Sequence, residues 1–231
     1  MRRFRVVCSV LLLSFTAWVS AFAQGSYKAV AIKGLPPAGN GVTPAILSLL
    51  EPQGAKFEDS QGKTAAEMWF SKAIAAPASP STESDVIYHS LTPGIVIGLL
   101  DAVQPITDYR NQHVQPGIYT MRYELVPEDG NHMGVSDYRD FVLLIPASFD
   151  TDPSATLSFK AVVQLSRKAV NTGHPAVLCM DPAKSGAAPQ AFLDDNQDWA
   201  LEADGGLKAA SGDKPFPMAV VLVGVSSAVQ E

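Results

Sequence analysis

The sequence predicts a mainly β protein, a sandwich of short strands with one packed helix, and three observations lead to that class. Short alternating or β-branched runs bounded by Gly, Pro, Asn and Asp recur along the whole chain. Two of these runs, Ile118 to Val126 and Tyr138 to Ile145, flank a polar, Gly-containing loop in the manner of a hairpin. One segment, Asp152 to Asn171, carries helix start and stop signals instead.

At the N-terminus, Arg2, Arg3 and Arg5 precede a nearly continuous apolar stretch from Val6 to Val19, and Ala21-Phe22-Ala23 supplies the small residues that a signal peptidase reads. Residues 1–23 are therefore expected to be a cleavable signal peptide, with an exported protein, periplasmic or extracellular, beginning at Gln24. The apolar run is shorter than the roughly 20 residues that cross a bilayer as a helix, so the mature form is expected to have no membrane span.

The full chain has 17 basic and 23 acidic residues. Without the three leader arginines, 14 basic residues face the same 23 acidic ones, a net charge of −9. Nucleic acid and anionic lipid both require concentrated Lys and Arg, so neither is an expected partner. The 208 remaining residues, in a chain that is 47% hydrophobic, suffice for one large domain with a real core. Only Cys179 remains after cleavage, which excludes an intramolecular disulfide, and its setting in Ala176-Val177-Leu178-Cys179-Met180 predicts a buried, inert thiol.

Taken in order, strands are expected at Tyr27 to Lys33, Ala45 to Glu51, Ala66 to Lys72, Val86 to His89 and Ile95 to Val103, before the hairpin pair. Ala75 to Ser84, rich in Pro, Ala and Ser, reads as a long exposed loop within a single domain spanning residues 24–231. In the first hairpin strand, Tyr119, Met121, Tyr123 and Leu125 form the expected core face, and Thr120, Arg122 and Glu124 the opposite one. The helix between Asp152-Pro153 and Gly173 places Lys160, Gln164, Arg167 and Lys168 on a polar stripe and Leu157, Val162 and Leu165 on the buried side. Further strands are expected at Ala176 to Met180, Trp199 to Ala203 and Pro217 to Val225. Met218 to Val223 contains no charge and reads as a central strand buried on both faces.

Catalytic signatures are absent from the sequence: there is no Gly-x-Ser-x-Gly elbow, no His-Glu-x-x-His pair, no phosphate-binding glycine loop and no cysteine pair. His89, His113, His132 and His174 are widely scattered. The tripeptide Asp-Tyr-Arg occurs twice, at Asp108 to Arg110 and Asp137 to Arg139, and is read as coincidence. Chemistry concentrates in the hairpin loop Pro127 to Asp137, where Glu128, Asp129, Asn131, His132 and Asp137 accompany Gly130 and Gly134. These residue types build tight turns, and an Asp and a His this close together are also able to chelate a metal ion.

The stretch Gln115 to Ala147, with its Pro-Gly-x-Tyr strand, Asp-Gly loop, histidine and closing strand, resembles the C-terminal hairpin of CopC-type periplasmic copper-binding proteins. It is also similar to YRDF-containing hairpins of uncharacterised exported bacterial proteins. The copper-family resemblance covers about 30 residues and implies an immunoglobulin-like β-sandwich, here with one packed α-helix and a C-terminal β addition. It further implies Cu(II) ligation by Asp129 and His132. This chain departs from the family's pattern by inserting Asn131 before the histidine and by offering Gln24 where the family has an N-terminal histidine.

Three functions follow as expectations. The first is a non-catalytic exported binding or structural module with a glycan or protein ligand, for which a planar exposed patch around Trp69 or Trp199 would indicate glycan. The second is a periplasmic copper-binding protein, and the third is an envelope-polymer hydrolase acting through a pair of carboxylates.

Overall fold

The computed structural model describes residues 25–39, 41–129, 132, 134–184 and 186–226. The expected signal peptide, the expected cleavage site before Gln24 and the turn residues Gly130 and Asn131 lie outside the described residues.

The chain is mainly β, as its alternating runs predict. The first half contains β1 (Tyr27–Lys33), helix α1 (Pro44–Leu49), β2 (Gln53–Asp59), β3 (Thr64–Phe70), β4 (Ile74–Ala75), β5 (Val96–Ala102), β6 (Ile106–Thr107) and β7 (His113–Val114). The second half contains β8 (Gly117–Leu125), β9 (Asp140–Pro146), helix α2 (Phe159–Ser166), β10 (Val177–Asp181), β11 (Gln190–Leu193), β12 (Trp199–Ala203), β13 (Gly206–Ala209), β14 (Gly212–Pro215) and β15 (Met218–Val223). Ten strands form one antiparallel sheet in the order β1-β2-β3-β5-β8-β9-β10-β15-β12-β11. The sheet curls until its terminal strands β1 and β11 approach each other and β12 faces β2 and β3. A barrel-like sandwich results. Phe57, Met68, Phe70, Leu100, Met121, Tyr123, Leu144, Leu201 and Val220 fill its interior.

The hairpin pairs as its alternation requires, from Tyr119 opposite Pro146 to Leu125 opposite Asp140. Tyr119, Met121 and Tyr123 point into the main core. β15 lies between β10 and β12 with only Val223 less than fully buried, the central position that its charge-free sequence predicts.

The sheet is covered outside as well as filled inside. Ile46 and Leu50 pack on Trp69 and Leu99. Val162 of α2 packs on Phe141, Leu143 and Ile145 of β9, while Lys160, Gln164, Arg167 and Lys168 face solvent. Cys179, Ala200, Ala219 and Val221 form a third outer patch beneath Tyr109 and Phe192.

Three sequence expectations change. Ala45 to Glu51 is not a strand; Thr43 caps a short helix by accepting the Ile46 N–H at 3.3 Å, and Pro44 occupies its first turn. Val86 to His89 is a turn segment held by Asp140, with no ladder of its own. The helix expected over Asp152 to Asn171 spans Phe159–Ser166 only. Asp152 does not cap it, because its carboxylate accepts from the backbone N–H and hydroxyl of Ser154 instead, at 3.2 and 2.6 Å. Trp69 and Trp199 form no exposed patch: Trp69 is buried and donates its indole N–H to Gly34 O at 3.0 Å, and Trp199 packs edge-on against Tyr27. The sequence reading also passed over β2, β11, β13 and β14, which are short or interrupted by charged residues.

Candidate functional site

The most varied chemistry on the molecule gathers where the β8–β9 hairpin ends. Its loop, 126–139, is closed at the base by Val126 N–H to Arg139 O at 2.8 Å and by Arg139 Nε to Val126 O at 3.0 Å. Arg139 also pairs through Nη1 with Glu83 at 2.5 Å and Glu128 at 3.3 Å. Next to it, buried Asp140 accepts from the backbone N–H groups of Ile87 and Tyr88 at 2.8 and 2.9 Å and from the Tyr123 hydroxyl at 2.7 Å. That carboxylate staples the 85–91 segment to the hairpin, since leaving three such donors unpaired in the interior would be costly.

Asp129 and His132, the two residues singled out for metal, come together in this loop with Asp129 Oδ1 2.7 Å from His132 Nδ1. Both side chains are substantially exposed. Among the described residues no group of three or more His, Cys, Asp or Glu is placed to hold a metal ion. His89 and His113 lie elsewhere, whereas His174 lines the same crevice as His132.

Three cavities adjoin under the loop, and Val135 lines all of them. The first, about 340 Å³, has a mixed lining that includes Asp85, Glu128, His132, Asp137 and Arg139. The second, about 90 Å³, has an apolar body of Val126, Pro127, Phe141 and Val177, with Tyr109, Arg110 and His174 at its polar side. The third, about 190 Å³, lies between Ser136, Asp137, Asn196, Asp198 and Tyr109.

A rigid turn supplies one wall. Asp108 is fully buried; its Oδ1 accepts the N–H groups of Arg110 and Gln112 at 3.0 and 2.8 Å. Its Oδ2 accepts Gln112 Nε2 at 2.8 Å and Val177 N–H at 3.0 Å. Gln112 Nε2 also reaches Pro175 O at 2.9 Å, which ties the Tyr109–Arg110 turn to the segment bearing His174.

The floor of the third cavity is acidic. Asp194 Oδ1 accepts from Asn196 N–H and Asp198 N–H at 2.9 and 2.8 Å, and Asn196 Nδ2 donates to Asp137 Oδ2 at 2.8 Å. Burial, reinforced by Asp194, pushes the Asp198 carboxyl up to about 6, although the Tyr109 hydroxyl opposes the shift. Burial likewise raises Asp181 to about 6, again with Asp194 adding to it. Both groups keep a proton well above the ordinary carboxylate range. Burial pushes the Cys179 thiol up to about 12, so the inert cysteine expected from its apolar run is what the fold contains.

Sequence reasoning found His132 and Asp129 but missed Tyr109, Arg110 and His174, which reach the loop only through the fold. The one available signal was the repeated Asp-Tyr-Arg: both copies end at this loop, Asp137 to Arg139 within it and Asp108 to Arg110 beside it. Compared with known proteins, the chain matches no family model, no curated protein and no solved structure.

Proposed function

We propose that the protein is an exported, non-catalytic binding module whose ligand site is the group of cavities beneath the 126–139 loop. One observation carries this reading: three adjoining cavities share a wall at Val135, on a loop that is held at its base by a stiff hairpin. Sites of this kind, on loops positioned by a rigid β scaffold, are where binding residues concentrate. A mixture of small fragments titrated into isotope-labelled protein is expected to shift the amide signals of Tyr109, Val135 and Val177. The reading falls if the shifts appear instead around Tyr27, Phe57 and Leu222, which line a separate cavity of about 350 Å³ between the first and last strands of the chain.

A second reading, copper binding at Asp129 and His132, is favoured by their 2.7 Å contact on an exposed loop. Cu(II) titrated into the protein and followed by electron paramagnetic resonance is then expected to show one site containing a nitrogen ligand. Affinity is expected to fall with acidification, because a proton competes for the imidazole lone pair that the metal requires. His132→Ala is expected to abolish uptake with little loss of stability. Absence of copper uptake by the wild-type protein at neutral pH would remove this reading.

A further inference from the structure

Two arginines line adjoining cavities at the hairpin end, and their circumstances differ. Arg139, in the first cavity, is neutralised by Glu83 and Glu128. Arg110, half-buried in the wall of the second, has no acidic partner among the described residues. The nearest carboxylate in its own turn, Asp108, is already committed to four N–H donors and is fully buried. No carboxylate lines the second cavity, whose body is apolar. His132, which also lines that cavity, is engaged by Asp129 at 2.7 Å, and His174 adds a second imidazole to the lining.

An unpaired guanidinium beside an apolar cleft is complementary to an anion carried on an apolar group. Guanidinium binds carboxylate through two parallel charge-assisted hydrogen bonds, which fixes the ligand's orientation as well as its charge. The turn that presents Arg110 is held by Asp108 and by Tyr109 N–H to Val177 O at 2.8 Å, so little order has to be imposed when a ligand arrives. At about 90 Å³ the cleft has room for roughly six water-sized groups, which selects a single ring or a short branched chain.

We infer that the second cavity binds a small monocarboxylate with an apolar body, its carboxylate on Arg110 and its ring or branched chain against Phe141 and Val177. This rests on the reading that the cavities beneath the 126–139 loop are a ligand site, and names the ligand class for one of them.

Benzoate and its neutral analogue benzyl alcohol test the two claims separately, with binding followed by amide chemical shifts of the full exported chain at pH 7. Benzoate is expected to bind with signals at Tyr109, Phe141 and Val177 moving, and to bind at least about tenfold more tightly than benzyl alcohol. Arg110→Gln is expected to remove that preference, Arg110→Lys to restore part of it, and Arg167→Gln, at an exposed position just after α2, to leave it in place. Thermal melting serves as the folding control; the Arg110 guanidinium makes no hydrogen bond among the described residues, so its replacement is expected to leave the melting temperature unchanged. If benzyl alcohol binds in the cleft as well as benzoate does, or if Arg110→Gln leaves benzoate affinity intact, the carboxylate inference is overturned while the binding site stands. If neither probe moves the cavity signals, both are overturned.

Discussion

Replacing Asp150 with alanine is expected to destabilise the fold by about 3–5 kcal/mol, the largest single-site loss outside the main core. Arg122 is fully buried on the outer face of β8, and Asp150 is its countercharge, at 2.6 Å from Nη2 and 3.0 Å from Nε. The same guanidinium donates to Gly94 O and Ala155 O at 2.6 Å each and to Asp152 O at 3.0 Å. Thr120 completes the cluster by donating to Asp150 Oδ2 at 2.6 Å. Without Asp150 the guanidinium keeps its carbonyl acceptors but stays a buried charge with no counterion, and desolvation of that charge dominates the cost. Arg122→Met is expected to be comparably damaging, because it leaves the Asp150 carboxylate buried with only the Thr120 hydroxyl as a donor among the described residues. Urea unfolding that shows a lower midpoint with an unchanged slope checks the expectation, since an altered slope would signal a change in compactness instead. A loss below about 1 kcal/mol for Asp150→Ala would mean that water replaces the carboxylate, and the ion pair would not be what stabilises the cluster.

Glu124 is expected to act in the opposite direction: Glu124→Gln stabilises the protein at neutral pH, by up to about 3 kcal/mol. The side chain is 2% exposed, lies opposite Phe141, and has Oε1 buried without a hydrogen-bond partner among the described residues. Burial pushes its carboxyl up to about 7, with Arg122 pulling the other way. In the unfolded chain the same group ionises near its ordinary value of 4.5. Below that value both states hold the proton and the group costs nothing. Between about 4.5 and 7 the unfolded state loses its proton first, so stability falls as pH rises; above about 7 both states are ionised and the penalty is constant. The separation of the two values corresponds to about 3 kcal/mol. Asp181 and Asp198, both raised to about 6, contribute in an overlapping range, so the informative quantity is the difference between wild type and variant. That difference, from denaturant unfolding at a series of pH values, is expected to grow from pH 4.5 to 7 and then level off. A difference independent of pH would show that Glu124 ionises in the fold as it does in water.

Both residues show where legibility in the sequence ends. Period-two alternation assigns Tyr119, Met121 and Tyr123 to one face of β8 and Thr120, Arg122 and Glu124 to the other, and the structure keeps that assignment. Alternation ordinarily leaves the polar face wet. Here the crossover from β9 to α2 lies over it, so Thr120, Arg122 and Glu124 are as buried as their neighbours. The truncated helix has the same origin. A regular helix from Asp152 would commit the carbonyls of Asp152 and Ala155 to its own ladder. As an irregular segment the chain offers both to Arg122, and α2 begins only at Phe159. Gly94, at φ +90°, passes so close to Leu157 that a Cβ would collide with its carbonyl oxygen, which keeps this covering segment tight on the sheet.

The candidate site divides along the same line. Glu128, Asp129, His132 and Asp137 share one loop and were visible as a cluster because loop residues near in sequence remain near in space. Arg110 and His174 are distant in the chain from that loop and from each other, and no periodicity links them. Asp108 brings them together by spending its four hydrogen bonds on the turn that holds Arg110 and on Val177 of β10.

By itself the sequence determined the β class, the hairpin and the two faces of its first strand, the central place of Met218 to Val223, and the inert thiol. Each of these follows from local alternation, turn residues or apolar composition, which act over a few residues at a time. Only the tertiary structure decided which polar side chains would be buried, where α2 would begin and which residues would meet beneath the 126–139 loop. Those outcomes depend on desolvation and on hydrogen-bond partners drawn from remote segments, and the free energy of a buried charge is set by what surrounds it, not by its neighbours in the chain.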